Sequence, residues 1–175
     1  MPKIQSKDVY ICENDEDGIQ LSVTGGEKYK WSPGTGLSAT DISNPIAKVS
    51  KTTTYTVDVY KGQCKNDTTV VVNVNNLPEI TSIEPVSEEE KGNMVVTIVK
   101  EVGDTYSYSL DGENYAELPL DNIIKDLPIG WSLLYIKNDT TTCVNSKEFY
   151  IAPIEIKPDK FFSPNGDGNN DKWEV

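Results

Sequence analysis

The sequence predicts an all-β chain built as two consecutive sandwich modules. Three observations predict it. β-Branched and aromatic residues crowd into short runs, with nine Tyr in all. Gly (12) and Pro (10) cut those runs at short intervals. No stretch of about a dozen residues keeps a helical apolar period. Short strand-forming runs between turn signals are what a β-sandwich or barrel is made from.

The first module spans residues 1–77. Val9-Tyr10-Ile11-Cys12 reads as its opening strand, followed by the acidic turn Asn14-Asp15-Glu16-Asp17-Gly18. Ile19, Leu21 and Val23 then alternate with polar residues, the period-2 mark of a half-buried strand. After Gly25-Gly26, Tyr29-Lys30-Trp31 makes a strand that Ser32-Pro33-Gly34 breaks. Thr53 to Tyr60 is a long strand with Tyr55, Val57 and Val59 on one face. Lys61-Gly62-Gln63 turns it into a partner, Thr68 to Val74. About six or seven short strands is the count expected of an immunoglobulin-like sandwich.

The second module spans 78–156, after the boundary Leu77-Pro78. Ile80 to Ile83 opens it, and Glu88-Glu89-Glu90-Lys91 reads as a charged loop before the apolar strand Met94 to Val99. Tyr106-Ser107-Tyr108-Ser109-Leu110 alternates and Asp111-Gly112 turns it. Trp131 to Lys137 and Lys147 to Ile151 read as the closing hairpin, with Trp131, Leu133 and Tyr135 toward the core. A last piece, 157–175, is too short for a core and reads as the start of a truncated third domain.

Charge narrows the function. The chain holds 28 acidic and 16 basic residues and no His, a net charge of −12. Phosphate binding needs Lys and Arg clusters, so nucleic acid is excluded as a partner, and anionic lipid is disfavoured. The acidic stretches 14–17 and 88–90 read as solvated turns that keep a soluble surface self-repelling. No apolar run approaches the roughly 20 residues of a membrane span, so no direct membrane insertion is expected. Met1-Pro2-Lys3-Ile4 reads as a start grafted onto an internal segment, placing any export signal on the parent sequence.

Three cysteines remain. A module of this size buries too little surface to be robust alone. A Cys12–Cys64 disulfide would close its ends and contribute roughly 4 kcal/mol in the chain-entropy model. The alternative is a pair of reduced buried thiols in a reducing compartment. Cys143 is left as a free thiol or as the partner of a cysteine elsewhere. With no His to activate a thiol or hydroxyl, and no phosphate loop or nucleophile elbow, no enzyme is expected.

Three stretches carry a family resemblance. Tyr29-Lys30-Trp31-Ser32-Pro33-Gly34-Thr35-Gly36-Leu37, then Ile42-Ser43-Asn44-Pro45 and Thr52 to Val57, resemble the Ig-like modules of large Bacteroidetes surface proteins, in which flanking cysteines also occur. Tyr106 to Tyr115 with Asp126-Leu127-Pro128-Ile129-Gly130-Trp131 resembles an adhesin-type repeat, with Asp126 and Trp131 departing from its pattern. Phe162 to Trp173 resembles the opening of the gliding-motility-associated C-terminal domain, the type B sorting signal of the type IX secretion system.

The resemblances imply a non-catalytic stalk or adhesion segment of a gliding adhesin-like protein, secreted to the outside of the outer membrane. They also imply secretion and attachment proteins of that membrane as partners of the C-terminal region. Alternatives stand beside this: a segment recognised by the export machinery, or accessory carbohydrate-binding modules that contact surface glycans. Asp67-Thr68-Thr69 and Asp139-Thr140-Thr141 resemble the Bacteroidetes O-glycosylation sequon, which implies glycans on Thr68 and Thr140.

Two local features admit two readings each. Asn165, Asp167, Asn169 and Asp171 have the alternate oxygen spacing of a calcium loop, or form a plain Asn/Asp/Gly turn. Tyr29, Trp31, Tyr55 and Tyr60 are either a sugar-binding platform or, as Trp31 favours, core.

Overall fold

A computed structural model describes residues 7–87 and 92–153. Every regular element among them is a β-strand. The fold is a tandem of immunoglobulin-like β-sandwiches, as the punctuated strand pattern predicts. The chain falls into two compact units. The first gathers residues 7–79 with 100–107 and 136–145. The second holds the described residues of 80–99 with 108–135 and 146–153.

The main sheet of the first unit has the order β1-β6-β5-β3, where β1 is Val9–Cys12, β3 Lys28–Ser32, β5 Thr53–Lys61 and β6 Cys64–Asn75. A small second sheet pairs β2 (Ile19–Gln20) with β4 (Ile46–Ala47). The hairpin register runs from Thr53↔Val72 to Lys61↔Cys64. That leaves Gly62-Gln63 as a two-residue loop, and Gly62 takes the positive φ of 56° that such tight loops need. Tyr55, Val57 and Val59 are fully buried, with Trp31, Leu21, Val23, Val70 and Val72 in the same cluster. The alternation read from the sequence is therefore the real inward face of β5.

The family-like motif of the first unit is a set of packing devices. Trp31 Nε1 donates to Ile42 O at 2.7 Å, and Tyr55 OH donates to Thr35 O at 2.8 Å. Both satisfy the polar tip of a buried aromatic. Gly36 sits at φ +79°, where an added Cβ would lie 2.6 Å from Lys48 O.

Two further sheets occur after residue 78. One has the order β10-β9-β12-β13 and the other β11-β8-β7. The strands are β7 (Glu79–Pro85), β8 (Met94–Val99), β9 (Tyr106–Ser109), β10 (Ala116–Glu117), β11 (Ile123–Ile124), β12 (Gly130–Asn138) and β13 (Val144–Ile151). Met94, Val96 and Ile98 alternate inward along β8, and Phe149 and Ile151 along β13.

Two expectations are corrected here. Trp131 does not face the core. Leu134 and Ile136 are the buried apolar residues of β12, while Trp131 is 74% exposed. Both parities of this strand carry large apolar side chains, so alternation alone leaves its phase open, and the aliphatic parity takes the interior. The second correction concerns the cysteines. Cys12 bonds Cys143, with Cα atoms 5.6 Å apart, and Cys64 is an exposed free thiol. The reason is strand direction. β1 lies parallel to β6 with Cys12 opposite Asn75. Cys64 begins that same strand, roughly 36 Å away at about 3.3 Å per residue, far beyond disulfide reach.

Cys143 is fully buried, so the bond closes at an ordered turn, residues 139–143. Asn138 organises that turn. Its Oδ1 accepts from Thr140 N (2.9 Å) and Thr141 N (3.1 Å). Its Nδ2 donates to Asp104 at 2.6 Å, and its backbone N–H donates to Cys143 O at 2.9 Å.

Candidate functional site

The platform considered from the sequence is dismantled by burial. Trp31 and Tyr55 lie in the core, and Tyr29 folds back on its own turn, donating from its OH to Gly26 O at 3.0 Å. Tyr106 is buried too, and its OH accepts from Glu101 N at 3.0 Å. The aromatic pair left in solvent is a different one, Trp131 with Tyr150. Their ring centroids are 5.2 Å apart and their planes inclined by 47°. Tyr150 is 50% exposed.

Strand geometry places this pair. Trp131 and Leu133 share one face of β12, and Glu148 and Tyr150 share one face of the neighbouring β13, because side chains two apart point the same way. Trp131, Ser132, Leu133 and Glu148 line a shallow cavity of about 320 Å³. Glu148 and Tyr150 escaped the sequence reading. The signal that finds them is the apolar pair Phe149 and Ile151, which claims the inward parity of β13.

Other candidates resolve as structural features. Asp15 Oδ1 accepts from Asp17 N (3.0 Å) and Gly18 N (3.1 Å), closing the acidic turn on itself. Among the described residues, no three His, Cys, Asp or Glu side chains converge as metal ligands. Asn165, Asp167, Asn169 and Asp171 lie outside the described residues, as do Glu88, Glu89 and Glu90. Thr68 sits half-buried on β6 opposite Val57, and Thr140 is exposed in the 139–143 turn.

The adhesin-like motif of the second unit also has a structural core. Asp111 Oδ1 accepts from Glu113 N and Asn114 N, both at 2.8 Å, and from Ser109 Oγ at 2.7 Å. Its Oδ2 accepts from Asn114 Nδ2 at 2.7 Å. These bonds, those of Asn114 first, hold its carboxyl well below the usual carboxylate range. Gly112 (φ +77°) packs its open side against the Tyr135 ring, where an added Cβ would lie 3.2 Å away. The Asp-Gly of the motif is thus a turn lock.

No described protein family and no curated protein matches the chain. Solved structures do match it in fold. The C-terminal 282-residue fragment of intimin, solved in complex with the intimin-binding domain of its translocated receptor, has a TM-score of 0.53 at 11% identity. The match covers 86% of this chain and 63% of that one. Extracellular domains 3–5 of Drosophila OTK have a TM-score of 0.48 at 14% identity, over 85% of this chain and 60% of theirs. The chain therefore spans less than two thirds of either structure, and at these identities the likeness is one of fold.

Proposed function

We propose that this chain is a non-catalytic stalk or adhesion segment of a secreted bacterial cell-surface protein. The carrying observation is a tandem of immunoglobulin-like sandwiches whose first unit holds a disulfide between residues 131 positions apart. Such a bond is stable in oxidising compartments outside the cytosol. The acidic, His-free composition supports the same reading. The resemblance of Phe162 to Trp173 to a type B sorting domain supports export by the type IX system, with outer-membrane components of that system as partners.

An antibody raised against residues 7–153 tests this on cells. It is expected to label intact cells of the source bacterium, and only permeabilised cells once the type IX outer-membrane pore is deleted. In-frame removal of 7–153 is expected to lower attachment under flow. Label confined to the interior of unmodified cells overturns the location, and unchanged attachment overturns the adhesion role.

A further inference from the structure

We propose that the solvent face of β12 and β13 binds a neutral carbohydrate, with Trp131 as the stacking platform and Tyr150 as a second wall. The sheet had an alternative at this place and did not take it. An indole offers one of the largest burial gains of any side chain. Yet β12 buries Leu134 and Ile136 and leaves Trp131 74% in water. Tyr150, on the adjacent strand, holds its ring 5.2 Å from the indole and inclined by 47°. Trp131 lines a cavity of about 320 Å³ with Ser132, Leu133 and Glu148, within the range of small-ligand sites, and Tyr150 stands against the indole.

The chemistry of the lining selects the ligand class. Trp131 and Leu133 supply an apolar floor, and Ser132 and Glu148 supply polar groups at its rim. An aromatic face carries negative charge density and attracts polarised C–H bonds, which a pyranose ring presents on one face. A carboxylate accepts only, which suits the hydroxyls at the edge of the same ring. Among the described residues the lining holds one carboxylate and no cation, and the chain carries −12, so anionic sugars are repelled. A small organic cation would call for enclosure by aromatic faces, whereas this cleft is open. β13 ends the strand order of its sheet, so a saccharide longer than one ring has room to continue past it.

The site goes beyond the stalk reading and does not depend on it, since surface labelling stands or falls without any sugar. The oxidised 175-residue chain is titrated with cellohexaose, xylohexaose, mannohexaose and laminarihexaose. Hexagalacturonate and choline serve as the anionic and cationic arms. Tryptophan fluorescence and calorimetry report binding. At least one neutral hexaose is expected to bind. Trp131→Ala is expected to weaken it ~10-fold or more, at least about 1.4 kcal/mol, and Glu148→Gln by a few-fold. Both side chains are exposed, so thermal midpoints should stay within about 3 °C of the parent. Tyr150→Ala is a second reading that leaves Trp131 in place. The proposal is overturned if no neutral hexaose binds at about 10 mM, a level that already allows Kd values in the weak millimolar range. Binding untouched by both aromatic substitutions overturns it too, as does binding confined to galacturonate or choline.

Discussion

Asp111 shows how a single side chain closes a turn in this protein. Its two oxygens accept four hydrogen bonds from Ser109, Glu113 and Asn114, and these favour its charged form. Its folded pKa is lowered from 3.8. The contribution is therefore complete above that ordinary value and drains away as the pH falls below it. Asp111→Asn should unfold at lower urea than the parent at pH 7, and the gap should narrow when the two are compared at about pH 2. A gap that widens on acidification would contradict the assignment. Trp31 and Trp131 make a pair of opposites. Trp31 is 2% exposed and bonded to Ile42 O. Trp31→Phe leaves space and an unpaired carbonyl, at a cost of roughly 1–3 kcal/mol. Trp131→Phe, on the solvent face, should stay within about 0.5 kcal/mol of the parent. Urea denaturation of both variants separates the inward parity from the outward one.

At the level of elements, legibility followed how many signals agreed. On β5, Tyr55, Val57 and Val59 are apolar while Thr54, Thr56 and Asp58 are polar, so one parity could be inside and burial confirms it. On β12, Trp131-Leu133-Tyr135 competes with Leu134-Ile136, and only packing against the rest of the module decides. The exposed aromatic pair was unreadable for that reason, and with it the candidate site. The disulfide was unreadable for another. Its pairing depends on β1 running parallel to β6, a long-range choice that no local pattern encodes. Turns were the most legible, because glycine at positive φ leaves a local mark. Gly36 and Gly62 both have positive φ, but differ in what surrounds them. An added Cβ at Gly36 meets Lys48 O at 2.6 Å and Tyr55 Oη at 3.1 Å, while at Gly62 it meets nothing within 4 Å. Gly62→Ala should cost about 1 kcal/mol of backbone strain. Gly36→Ala should cost roughly 2–4 kcal/mol, because backbone must also move. Equal losses in chemical denaturation would mean that the β4–β5 region yields freely around Gly36.

For the whole molecule, the staple matters most. The Cys12–Cys143 bond encloses a sequence separation of 131 residues, which removes about 5 kcal/mol of unfolded-state entropy in the chain model. It also sets what a pulling force can extract. In the oxidised chain, tension applied at the termini passes from Cys12 directly to Cys143, so nothing between them can lengthen even if its strands part. In the reduced chain, that length becomes available, roughly 450 Å at about 3.3–3.6 Å per residue. Single-molecule pulling should therefore show short extensions without reductant and long ones after reduction. Cys143→Ser should reproduce the long extensions without any reductant. The thiol count gives an independent check: one reactive thiol in the denatured oxidised chain, none in Cys64→Ser, and two in a Cys12→Ser variant. Three thiols in the untreated chain, or long extensions before reduction, would remove the staple and its mechanical consequence together. The bond thus fixes the distance between Cys12 and Cys143 under load, and only the residues outside it can lengthen before reduction.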